Sequence, residues 1–302
     1  MRDSLPRPSS DWGPLAGQFP VNSIGLGTKP TLAMLGKRGQ KIVMDAPAGD
    51  EGALDRQNNF SERRRAHHPH AQRGQPLHAH GFHVTFINSE YNRARLARTR
   101  GAAALAGSPG FRFATIPDGM PQPSGDMDDD VMQDIPSLCK STLETCLGPF
   151  RRLLIELNGV ASTGDHPVVT CIVSDLTMCF AMDAAKELDV PYVQLWTAST
   201  VSYLGFRYFR LLIDRGIVPL QDEKQLMDGY LDTPLEDLPG LRNMRLRDFR
   251  SFIMNPDDYI VEYAIKVTES AAGASAVIVN NFDDLEGSLA DPRSTRSARS
   301  LC

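Results

Sequence analysis

The strongest constraint on the fold of this 302-residue chain is an alternation that begins at Gly81 and runs to Asn280. Short apolar runs recur there with helix-forming stretches between them. The runs are FHVTFI (82–87), FRFATI (111–116), VVTCIVSD (168–175), YVQLW (192–196) and AVIVN (276–280). They are nearly continuous in apolar and β-branched residues, as strands buried on both faces are. Helices are predicted over NRARLARTR (92–100), Val131 to Leu157, FAMDAAKELD (180–189), a stretch through Arg215, and residues near 257–271. The longest carries a core stripe of Ile135, Leu138, Leu143, Cys146, Leu147, Phe150, Leu153, Leu154 and Leu157. Gly148-Pro149 is expected to bend or split it, because proline lacks the N–H of a helix interior. Strands alternating with helices define the fold class as α/β, a parallel sheet covered on both faces. Ligands of such sheets sit beyond the carboxyl ends of the strands, which directs attention to Asp118, Asp175 and Thr197.

Charge and composition narrow the partners. A formal net charge of -5 gives no basic footprint for nucleic acid. No run of 18 apolar residues exists, so no membrane span is expected, and MRDSLPRPSSDWGPL lacks the apolar core of a signal peptide. Cysteines 139, 146, 171, 179 and 302 form neither CxxC pairs nor a dense framework, and the expected setting is the reducing cytoplasm. Residues 1–80 have no sustained period. GLGTKP (25–30) follows no apolar strand, which makes a loop the better reading than a phosphate cradle. KIVMDAP (41–47) offers one short strand, and residues 1–65 are otherwise expected to be disordered.

Five blocks carry a resemblance. They are GFHVTFINSEYNRARLARTRG, FRFATIPDGMP, QDIPSLCKSTLETCLGPFRRLL, VTCIVSDLTMCFAMDAAKELDVPYVQLWTAS and GYLDTPLEDLPGLRNMRLRDFRSFI. In order and spacing they resemble plant UDP-glycosyltransferases of small molecules, above all the branch that acts on cyanogenic aglycones. The resemblance implies two Rossmann-like domains of the GT-B type, the first for the acceptor and the second for the UDP-sugar. It implies a histidine base after the first strand, an aspartate that orients the imidazole, and inverting transfer with no metal cofactor. The aspartate falls on Asp175, the threonine that touches the donor sugar on Thr197, and the acceptor pocket on Asp118 and Trp196.

The same resemblance divides the chain into a non-family segment 1–65, an acceptor-binding domain 66–290 and a non-family tail 291–302, with no UDP-sugar-binding domain. The first strand is expected to be missing or substituted, and that strand lies in the middle of a sheet ordered 3-2-1-4-5. Either a makeshift strand such as 41–45 fills the gap or the domain is unstable; marginal stability is the expectation. The resemblance implies transfer of a hexose, glucose foremost, from a UDP-sugar to a small hydroxylated or cyanohydrin-like acceptor. With neither base nor donor site, the chain itself is expected to lack transferase activity. The alternative is a non-catalytic module that binds a small molecule or a partner and regulates a full-length relative.

Six of seven histidines lie between Arg63 and Phe86: His67, His68, His70, His78, His80 and His83. No cysteine or carboxylate stands at metal-site spacing beside them, so the tract alone is compositional. The family places its histidine at Ala66. Codons for residues 65–75 can be chosen so that the frame one base later spells Gly-His-Ile-Thr-Pro-Met-Leu-Asn-Val-Ala, which is the family's loop. Residues 291–300, read from the third base, can spell Pro-Pro-Val-Tyr-Thr-Val-Gly-Pro-Leu, the family's continuation after FDDLE. Frame disruptions at both edges of the domain are the expectation. DMDDD (126–130) reads as a solvated acidic loop before a helix. Asp175 and Thr197 have a structural reading as caps, Trp196 as core or pocket wall, and Cys171 and Cys179 as buried apolar fillers.

Overall fold

A computed structural model of the chain describes residues 21–22, 41–45, 77–120, 135–161, 167–241, 243–249 and 259–279. Seven strands form one sheet: β1 (Val21–Asn22), β2 (Lys41–Asp45), β3 (His83–Ser89), β4 (Phe111–Ile116), β5 (Val169–Asp175), β6 (Tyr192–Trp196) and β7 (Ala276–Val279). Their order is β1-β7-β6-β5-β2-β3-β4, and every pairing is parallel. The doubly wound order holds. Of the two expected outcomes for the missing central strand, the structure takes the first. Val43 of β2 lies opposite Thr85 of β3 on one side and Ile172 of β5 on the other. The backbone groups of both neighbours thereby gain the partners that buried N–H and C=O require. A register shift between Lys41 and Ile42 accommodates β5. Two pieces of the segment read as irregular, 21–22 and 41–45, are thus strands of the sheet.

Alternate side chains point to opposite faces. On one face Val84, Phe86, Phe111, Cys171, Val173, Val193, Leu195, Ala276 and Ile278 form a buried cluster with Leu77 and Phe82. On the other, Ile87, Ile116, Val169, Ile172 and Tyr192 pack with α3 (Leu147–Ala161) and α4 (Ala181–Glu187). Trp196, Val277 and Val279 pack with α5 (Thr200–Asp214), α6 (Tyr259–Ser270) and the leucines of the 216–249 loop. The remaining helices are α1 (Glu90–Arg100), capped by Ser89 and ended by Gly101 at φ 80°, and α2 (Ile135–Thr145).

The predicted long helix is split. It breaks at Cys146, so Gly148 and Pro149 fall in the first turn of α3, where a missing N–H costs nothing. Its core stripe runs through Cys139, Thr142, Cys146, Phe150, Leu154 and Leu157. Residues 131–134, the DMDDD tract, GLGTKP, Ala66 and His67, His68 and His70 lie outside the described residues. No helix among the described residues is long and apolar enough to cross a membrane.

Cys171 sits in β5 with no exposed surface, and burial pushes its thiol from 9.0 up to about 12. A pKa raised in the folded state means that the contribution is complete below pH 9 and is lost as pH rises from 9 toward 12. Stability should therefore fall by ~1.4 kcal/mol per pH unit in that window from this group. Urea unfolding at pH 8 and pH 10 checks it: Cys171→Ala should lose less stability between the two than the wild type.

Candidate functional site

The carboxyl ends of β2 and β5 are neighbours, and connections from these strands lead in opposite directions across the sheet. This is the switch point at which doubly wound sheets open a crevice. Asp175, the last residue of β5, stands on it and is buried. Its side chain caps the 3-10 turn Leu176–Met178, accepting from the Thr177 N–H at 2.8 Å and from the Thr177 hydroxyl at the same oxygen. Both the predicted cap and a carboxylate at the crevice are therefore realised in one residue.

Two groups clamp this turn. From below, the Ser174 hydroxyl lies 2.7 Å from the Asp175 carbonyl and 3.1 Å from that of Met178, and the Tyr192 hydroxyl reaches Ser174 at 3.3 Å. From α6, the Tyr263 hydroxyl donates to the Thr177 carbonyl. Burial first, then nearby Cys139, Cys179 and Asp175, hold the Tyr263 phenol well above its ordinary range, against a lowering by its Thr177 hydrogen bond. It stays a neutral donor. No sequence signal singled out Thr177, Ser174 or Tyr263; each is an unremarkable polar residue until the fold brings it to the turn.

Trp196 ends β6 on the same rim. It is buried in the core, its ring packed 5.7 Å from Tyr203 and 5.2 Å from Phe206, and its indole N–H donates to the Ser199 carbonyl at 2.9 Å. Thr197 follows, half-buried. The cap of α5 is not Thr197 but Ser199, whose hydroxyl accepts from the Ser202 N–H at 3.2 Å. Asp118 follows β4 one strand further from the switch point, beyond β3. Its two oxygens accept main-chain N–H groups, Tyr91 at 3.0 Å and Met120 at 3.1 Å, and Ser141 donates to its carbonyl. Asp118 thus braces the first turn of α1 against the β4 loop and α2. The structure brings Asp175, Trp196 and Thr197 to adjacent strand ends and leaves Asp118 on the far flank.

Histidines described by the structure occupy the opposite rim. His83 opens β3, level with Val169 at the start of β5. His78 lies in the preceding turn, its ring 5.9 Å from that of Phe111. Val169 and Asp175 stand at the two ends of β5, six residue steps apart, roughly 20 Å at the usual rise. Neither imidazole partners the carboxylate. Among the described residues, no group of three His, Cys, Asp or Glu side chains is placed to hold a metal ion.

Relatives share this stretch of sequence. A 7-deoxyloganetin glucosyltransferase of Gardenia jasminoides is 50% identical over 212 residues, 70% of this chain and 43% of its own length. UDP-glycosyltransferase 85A2 of Arabidopsis thaliana is 47% identical over 212 residues, with the same coverage. A (R)-mandelonitrile β-glucosyltransferase of Prunus dulcis is 42% identical over 229 residues, 75% of this chain and 46% of its own. No family model matches the chain. Among solved structures, a UDP-glucose:anthocyanidin 3-O-glucosyltransferase aligns with a TM-score of 0.58 at 20% identity, over 86% of this chain and 52% of that one. UGT2 of Phytolacca americana aligns at 0.56 and 15%, over 87% and 52%.

The fold is that of half a GT-B glycosyltransferase. Its matched stretch has plant UDP-glycosyltransferases as homologues. It spans less than half the length of the curated relatives it matches.

The brace at Asp118 is directly testable. Asp118→Ala should lower the unfolding free energy by ~1–3 kcal/mol, since two partly buried N–H groups lose their acceptor. Asp118→Asn, which retains one oxygen, should cost about half as much on the same reasoning. Urea denaturation with unchanged midpoints in both variants would remove the brace.

Proposed function

We propose that this chain carries the acceptor-binding half of a UDP-dependent glycosyl transfer to a small hydroxylated molecule. The observation that carries the reading is Asp175, a buried carboxylate held by two donors of Thr177 at the switch point of the sheet. In this role it orients a base imidazole and stabilises the imidazolium that forms as the acceptor hydroxyl is deprotonated. The activated oxygen then displaces UDP from the anomeric carbon with inversion. Kinship favours a hexose, glucose above all, and phenol-, iridoid- or cyanohydrin-like acceptors, because related enzymes are named for glucosyl transfer to 7-deoxyloganetin and mandelonitrile. Thr197, at the end of β6, faces the donor sugar, while Trp196 and Asp118 shape the acceptor side.

Calorimetric titration of the full chain with mandelonitrile and 4-nitrophenol tests this. Saturable binding of both compounds is expected. Adding UDP-glucose and assaying for glucoside separates an enzyme from a binding module that works with a full-length relative. Absence of saturable binding across the phenols and cyanohydrins would contradict the assignment.

A further inference from the structure

We infer that Tyr263, on α6, is a positioning residue that sets the direction of the Asp175 carboxylate through Thr177. The inference rests on the reading of Asp175 as the site carboxylate, and three linked hydrogen bonds carry it. The Tyr263 hydroxyl donates to the Thr177 carbonyl, and the N–H and hydroxyl of the same Thr177 donate to one oxygen of Asp175. One residue therefore receives from α6 and gives to the carboxylate.

The placement is economical in sequence but long in reach, since Tyr263 stands 86 positions from Thr177. Tyr263 is buried, and its neighbours Val261, Ala264, Ile265 and Val267 pack in the same core cluster as Trp196 and Leu176. Burial holds the phenol well above its ordinary range, so the donor is present at neutral pH. The second clamp, Ser174, holds the two ends of the turn by their carbonyls. Ser174 fixes where the turn is; Tyr263 fixes which way Thr177 faces, and so the oxygen it grips. A helix that belongs to the far end of the chain is in this way coupled to the crevice.

Tyr263→Phe removes only the hydroxyl and leaves the ring in place. Amide hydrogen exchange of the full chain, followed by NMR, should show the Thr177 amide exchanging about tenfold faster in this variant, the scale expected for a weakened hydrogen bond. Amides of Phe150 and Leu154 in α3, remote from the turn, should be unchanged; a merely structural loss would speed both regions together. Equal exchange at Thr177 in the two proteins overturns the inference. If Tyr263→Phe does not fold, a 3-fluorotyrosine label at Tyr263 keeps the hydroxyl and reports in reverse. Its fluorine signal should move on Asp175→Asn and hold still on Asp183→Asn; a signal unmoved by Asp175→Asn also overturns it. Acceptor titration distinguishes the two claims. Loss of acceptor binding in the wild type with a responsive Thr177 amide sinks the site reading alone, whereas intact binding with an unresponsive amide sinks the role of Tyr263 alone.

Discussion

The pairing of β2 with both β3 and β5 is the interaction on which the rest depends. A parallel sheet has no hairpins to hold it together, so each central strand must satisfy the backbone of two neighbours at once. Lys41–Asp45 does so in register with His83–Ile87 on one side and reaches Val173 on the other. Without it, β3-β4 and β5-β6-β7 would be separate half-sheets with open inner edges. Such edges leave rows of unpaired N–H and C=O groups. The five residues KIVMD are thus what makes one sheet of two.

The site follows from that junction. The switch point exists because β2 stands between strands whose connections run opposite ways, and Asp175 ends the strand beside it. Parallel strands put all their carboxyl ends on one rim, so Trp196 and Thr197 arrive there by the same rule that brings Asp175. The rule also disposes of the described histidines. His78 and His83 enter the sheet at the amino-terminal end, and no local adjustment carries them across the length of a strand.

Much of this was legible in the sequence, and for a physical reason. Strands buried on both faces are largely apolar, and YVQLW and AVIVN therefore match their observed bounds to within a residue. FRFATI, the half-buried edge strand, matches as well through its β-rich run between turn residues. Asp175 was legible because a polar residue ending an apolar run can only sit at a rim. The break of the long helix was foreseen from Gly148-Pro149, but proline tolerates a first turn, which put the break two residues earlier, at Cys146. The partners of Asp175 were not legible. Thr177 and Ser174 are ordinary small hydroxyls, and Tyr263 lies on a helix whose approach to the turn depends on how α6 packs over it. Asp118 shows the same limit from the other side: its place after a strand marked it as a rim residue, while its hydrogen bonds to Tyr91 and Met120 depend on α1 and the loop meeting there.

The most direct test of the account is amide hydrogen exchange at Ile42, Val43 and Met44 in the full chain. A strand paired on both sides opens only with the sheet, so these amides should exchange as slowly as those of Val84, Phe86 and Ile172 beside them. Exchange at the rate of an open peptide in 42–44, with Ile172 still protected, would show that the sheet is held without this strand and would remove the junction from which the site was built.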